Sequence, residues 1–209
     1  MSNHRQMKRT MHDKILARLD RAGPGRAFMA KDFLDIATRG SIDMALTHLT
    51  RSGTIRRIRR GLYDKPKISP SLGGALSPDI DEAARALARR FRWKIVPDKA
   101  WAANLLGLST QVPAKIVYLS DGPNKKIALG RRMIQFKHAR PQALAGARGK
   151  PALAVQALRY LGKKGVDERT LSRLKNALSH AEKRQLLKSA RLGVDWIYEV
   201  ARKIAKDRA

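Results

Sequence analysis

The 209 residues carry 45 lysines and arginines against 17 acidic residues, a formal charge of +28, while 43% of the chain is hydrophobic. That apolar share can fill a core and excludes general disorder, whereas the charge excess goes far beyond solubility and predicts a polyanionic partner, most often nucleic acid. The absence of cysteine excludes disulfides, thiolate metal sites and cysteine nucleophiles. No apolar run approaches the ~20 residues of a membrane span, and the opening MSNHRQMKRTMHDKIL lacks the apolar segment of a secretory signal, so a cytoplasmic location is expected.

In chain order, Met7 to Ala22 reads as a helix, with Met11, Ile15 and Leu19 at spacing four and Leu16 beside them. Gly23-Pro24-Gly25 ends it, and Ala27 to Met29 reads as a short strand. A second helix is expected over Lys31 to Ala37, burying Phe33, Leu34 and Ile36, before a tight turn at Thr38-Arg39-Gly40. Ser41 reads as the N-cap of a third helix to about Arg51. Ile42, Ala45, Leu46 and Leu49 have the i, i+3, i+4, i+7 spacing of a buried stripe, and Ser41, Met44, Thr47, His48 and Arg51 lie on the other side.

Gly53 ends that helix, and Thr54–Ile58 and Gly61–Asp64 read as two short strands. The segment RSGTIRRIRRGLYDKP puts Arg56, Arg57, Arg59 and Arg60 on the tip and flanks of this hairpin, with Ile55 and Leu62 as its anchors. Helix, short strand, helix, tight turn, helix and hairpin is the order of a winged helix-turn-helix, and a wing so charged reads as a phosphate clamp.

Residues 67–78, rich in Pro, Gly and Ser, read as a linker, so the first domain is expected over 1–66 and the second over 79–209. Asp79 opens a helix with Ala83, Ala84, Leu87 and Ala88 on its apolar face; a strand near Trp93–Val96 and a helix over DKAWAANLL come next. AKIVYLSD, KKIALG and RRMIQFKHAR read as three strands, and from Lys150 the pattern is helical. The expected class is therefore α+β: a winged helix-turn-helix, a small α/β domain and a helical tail.

The winged-helix start, the wing ending RRGLYDKP and the later LLGLSTQVPAKIVYLSDGPNKKIALG resemble the AbiEi-like antitoxins of type IV abortive-infection AbiE toxin–antitoxin systems. LGLSTQVP, Leu106 to Pro113, is the most specific piece, and the resemblance covers about residues 10 to 140. It implies a two-domain antitoxin whose winged helix binds inverted repeats in its own promoter and represses the operon. It also implies a neighbouring nucleotidyltransferase-like toxin as functional partner, with no stable complex between the two.

The second helix of a helix-turn-helix presents its first residues to base edges in the major groove. That nominates Ser41, Met44, Thr47, His48 and Arg51, with Arg39 just ahead as a guanine reader and Asp43 as an awkward carboxylate that would face phosphates unless it accepts from cytosine or pairs with a basic neighbour. The wing arginines would supply affinity more than sequence choice; four neutralised phosphates give a salt slope of roughly −3.6. Because alternate strand residues face opposite ways, two or three of the four are expected to reach DNA.

A second basic stretch, Lys125, Lys126, Arg131, Arg132, Lys137 and Arg140, extends the DNA track, binds RNA or solvates a sheet face; these uses stay open. The rival readings are an RNA-binding or ribosome-associated protein and an antitoxin acting by direct toxin contact. At 5% aromatic residues a single-strand binder built on stacking is disfavoured, and Tyr118 and Phe136 read as core. The five histidines, His4, His12, His48, His138 and His180, are scattered without metal spacing, and no nucleophile elbow or phosphate loop occurs. Catalysis, a metal and a cofactor are not expected; two copies paired on DNA are.

Overall fold

Thr10 caps the first helix reciprocally with Asp13. The Thr10 hydroxyl accepts the Asp13 N–H at 3.2 Å and the Asp13 carboxylate accepts the Thr10 N–H at 3.0 Å, satisfying donors that a helix start leaves unpaired. The computed structural model describes residues 10–111, 113–140, 144, 149–191 and 193–206, so the expected first turn at residues 7–9 lies outside it. The helix itself, α1 (Met11–Ala22), buries Ile15 and Leu19 and stops at Gly23.

β1 (Ala27–Phe28) comes next, then a short 3-10 helix (Ala30–Phe33) in place of the longer helix expected over 31–37. Three residues per turn eclipse i and i+3, so Ala30 and Phe33 both point inward. Leu34 rotates out and is 49% exposed, not buried as its apolar character suggests. α2 (Arg39–Arg51) starts two residues before Ser41, taking the expected turn into its first coil; Thr38 holds the N-cap position, its hydroxyl 3.0 Å from that of Ser41. Ile42, Ala45, Leu46 and Leu49 of α2 join Ile15, Leu19, Phe28, Phe33 and Ile55 in one apolar core.

β2 (Arg56–Arg59) and β3 (Leu62–Asp64) form the hairpin, and with β1 they make an antiparallel sheet in the order β1-β3-β2. Its turn needs Gly61, whose φ of +75° lies in the region that side chains with a Cβ rarely enter. The ladder slips between Arg57 and Arg59, a bulge that twists the edge strand.

The segment read as a linker holds a second small hairpin, β4 (Ile68–Ser69) with β5 (Gly74–Ala75). Next comes α3 (Ile80–Phe91), capped by the Asp79 carboxylate, which accepts the N–H groups of Asp81 and Glu82 at 2.8 and 3.1 Å. α3 packs back on β1 and β3. The Arg89 guanidinium fastens it, donating to the Ala27 carbonyl at 2.9 Å and to the Asp32 carboxylate at 3.1 Å. The first compact unit accordingly runs Met1–Arg92, beyond the boundary at 66 read from the sequence.

The second unit, Trp93–Ala209, holds β6 (Ile95–Pro97), α4 (Lys99–Leu105), β7 (Ile116–Ser120), β8 (Lys125–Leu129) and β9 (Arg132–His138). The sheet order is β6-β7-β9-β8, antiparallel except for the parallel pair β7 and β9. Ile116, Tyr118, Ile127, Leu129, Ile134 and Phe136 are buried on one face, and the buried Trp101 indole donates to the Tyr118 hydroxyl at 2.8 Å. The helical stretch from residue 149 resolves into α5 (Gly149–Leu161), α6 (Glu168–Ala177), α7 (His180–Ala190) and α8 (Asp195–Ala205). Leu158, Leu174, Leu186, Ile197 and Ile204 close their common core. The protein is thus α+β. No helix among the described residues is long and apolar enough to cross a membrane.

Candidate nucleic-acid interface

The two faces of α2 separate as its periodicity demands. Opposite the buried stripe, Met44 is 74% exposed, Arg39, Thr47, His48 and Arg51 are exposed, and Ser41 is half-buried. An exposed methionine of this size in the middle of a polar face has no partner in its own core, and it has the shape to meet a thymine methyl.

Arg39 donates from Nε to Asp43 at 2.8 Å, one turn along the same helix. This pair supplies Asp43 with a basic neighbour. Because both side chains are more than a third exposed, the pair is weak, and a competing phosphate or guanine can draw Arg39 away. The Thr47 hydroxyl donates to the Asp43 carbonyl at 2.8 Å, so toward a base it is left as an acceptor. The His48 ring stands edge-on to His12 of α1, with centroids 5.4 Å apart.

The β2–β3 hairpin divides its four arginines by strand alternation. Arg57 and Arg59 are exposed on β2, and Arg60 is exposed at the turn. Arg56 points the other way. Its Nε and Nη2 donate to the two oxygens of Asp64 at 3.0 and 2.6 Å, and its Nη1 donates to the Leu76 carbonyl at 2.9 Å. Asp64 is only 1% exposed, so Arg56 neutralises a buried carboxylate and is not free for DNA. Three exposed arginines instead of four lower the salt slope expected of a phosphate-binding hairpin to roughly −2.7.

The Arg18 guanidinium grips both oxygens of Asp35 at 2.7 and 2.6 Å, linking α1 to the turn that leads into α2. The hydrogen bond from Arg18 holds the Asp35 carboxyl below its ordinary pKa, and the same bond raises that of Arg18.

The second basic stretch does not form one cluster. Lys125 and Lys126 lie in register with Phe136 and Gln135, and Lys137 lies at the same end of β9. These three lysines line a groove of about 640 Å³ with Asn124, Gln135 and His138. Arg131 and Arg132 sit at the other end of β9, roughly 17 Å away at ~3.3 Å per residue. Arg140 is exposed beyond the end of the strand. Phe136 faces the core, so this sheet offers no stacking platform at that position.

Two basic residues that the sequence reading passes over, Lys31 and Arg90, share a groove of about 420 Å³ with Arg39, Arg59 and Arg60. Arg90, in the last turn of α3, is the kind of residue that ordinarily complements a helix C-terminus, and nothing in its local sequence marks it otherwise. No group of His, Asp or Glu suited to a metal ion occurs among the described residues.

Residues 14–186 match DUF6088, a family of unknown function, and the chain belongs to that family. No curated protein matches it. Among solved structures, the crystal structure of the RV2827C protein from Mycobacterium tuberculosis aligns with 93% of this chain and 76% of its own, at 18% identity and a TM-score of 0.39. That likeness is too distant to transfer a fold or a function.

Proposed function

We propose that this member of the family is a double-stranded-DNA-binding autorepressor with a winged helix-turn-helix, serving as the antitoxin of an AbiE-like toxin–antitoxin pair in the cytoplasm. The observation that carries the DNA-binding part is the division of labour within the first unit. α2 buries one face and holds Met44, Thr47, His48 and Arg51 out on the other, while the wing holds out Arg57, Arg59 and Arg60. The helix face suits base edges in a major groove, and the arginines suit the backbone beside it. The acidic residue on that helix face, Asp43, is already paired with Arg39.

The antitoxin part rests on the resemblance through LGLSTQVP and the strand after it, with a nucleotidyltransferase-like toxin as the functional partner. A single winged helix reads few base pairs, so two copies on an inverted repeat are the expected bound form.

The test is binding of the full chain to the DNA upstream of its own gene, titrated with salt against scrambled DNA. A preference for the upstream fragment that persists at moderate salt supports the repressor. Equal binding that collapses on both fragments together would refute it and leave a charged surface without sequence choice.

A further inference from the structure

Among the described residues, no carboxylate lines the groove shared by Lys31, Arg39, Arg59, Arg60 and Arg90. Like charges brought together on one concave surface repel each other and raise the local concentration of anions. Arg39 is offset by Asp43, but Lys31, Arg59, Arg60 and Arg90 have no carboxylate partner among the described residues.

The groove lies between the start of α2 and the turn of the wing. If α2 enters a major groove and the wing meets the neighbouring minor groove, the backbone separating those two grooves must pass between the two protein elements. Its phosphates therefore run over this basic wall.

α3 closes the wall with two consecutive arginines in different employment. Arg89 is tied to Ala27 and Asp32 and fixes the helix. Arg90, one residue on, turns into the groove with its guanidinium carbon 5.6 Å above the centroid of the Phe91 ring. Stacking over a ring occupies the face of a guanidinium and leaves the donors in its plane available.

We infer that this groove seats a backbone phosphate of the bound duplex, and that Arg90 of α3 is a phosphate contact supplied from outside the helix-turn-helix and wing. The inference rests on the DNA-binding reading and deepens it: the DNA-binding body is the whole unit to Arg92, and α3 is part of its clamp.

The experiment is a salt-titrated anisotropy measurement with labelled upstream and scrambled duplexes. It compares the full-length wild type with Arg90→Gln, Arg57→Gln and, as an off-site control on α1, Arg21→Gln. All four must give the same circular dichroism spectrum and melting temperature; Arg90 and Arg21 are exposed, so this is expected. Arg90→Gln should weaken both duplexes several-fold and make the slope of log K against log salt shallower by roughly 0.9. Arg57→Gln should do the same, and Arg21→Gln should match the wild type.

If Arg57→Gln weakens binding while Arg90→Gln matches the wild type, the groove assignment is wrong and the DNA-binding reading stands. A loss confined to the upstream duplex would make Arg90 a base reader and overturn the phosphate assignment. Failure of the wild type to bind either duplex at low salt would remove the DNA-binding reading and this inference together.

Discussion

Arg56→Ala should destabilise the first unit while leaving the salt dependence of DNA binding unchanged, the opposite of what the neighbouring arginines do. Removing the guanidinium takes two hydrogen bonds, at 3.0 and 2.6 Å, from a carboxylate that is 1% exposed, and a third from the Leu76 carbonyl. Breaking a fully buried ion pair from one side costs about 3–5 kcal/mol. The Arg56 side chain is 30% exposed, so water already screens it, and about 2–3 kcal/mol is the expected loss.

The assay is urea unfolding tracked with two probes. The tryptophans, Trp93, Trp101 and Trp196, all lie in the second unit, so their fluorescence reports that unit alone. Far-ultraviolet circular dichroism reports both. Arg56→Ala should move the dichroism transition of the first unit by on the order of 1–2 M urea and leave the fluorescence transition in place. Arg57→Ala should leave both transitions unmoved and make the salt slope shallower by roughly 0.9. An Arg56→Ala protein that unfolds like the wild type and loses salt dependence would refute the assignment of Arg56 to Asp64.

Asp43→Asn removes a carboxylate from the α2 face proposed to meet DNA and releases Arg39, so binding to any duplex should tighten and the salt slope should steepen by up to roughly 0.9; weaker binding in the same anisotropy assay would mean that the carboxylate reads a base. Gly122→Ala would put a Cβ into the Trp93 ring, forcing the indole to move at a cost of about 1–3 kcal/mol, visible as a shift in emission and in the fluorescence-detected urea midpoint. Stability should depend on pH through three carboxyl groups with lowered pKa values: Asp35 through the hydrogen bond from Arg18, Asp167 through that from Thr170, and Glu182 through the Ser179 backbone N–H. A lowered folded-state pKa gives stability that is present above the ordinary carboxylate range and lost as pH falls through the folded values. Melting temperature should therefore decline on acidification from about pH 5 downward, and Glu182→Gln should flatten part of that decline; an unchanged acid limb would exclude the capping box as its source.

The faces of α2 were legible because a buried stripe at 3.6-residue period leaves a strong mark, and Ile42, Ala45, Leu46 and Leu49 carry it. The strands of the second unit were legible for the corresponding reason, with Ile134 and Phe136 alternating against Met133 and Lys137. Arg56 was not, since an arginine among arginines reads as surface and the bulge hides its cross-strand register with Asp64. Nor was the home of α3: its apolar face announces that it packs, while its partner is fixed by Arg89 reaching a carbonyl 62 residues away in the chain. Leu34 misleads because apolar character alone does not decide burial at the end of a 3-10 turn.

The bulged strand β2 is an outer strand of the β1-β3-β2 sheet, with backbone groups along one side that another extended chain could pair with. Protruding cationic side chains and an irregular ladder are two devices by which proteins discourage such pairing, and β2 has both. The exposed arginines of β2 thus also stand as a guard against pairing between copies along this edge. Variants that strip them should be watched for self-association, because what they lose includes a guard on an open edge.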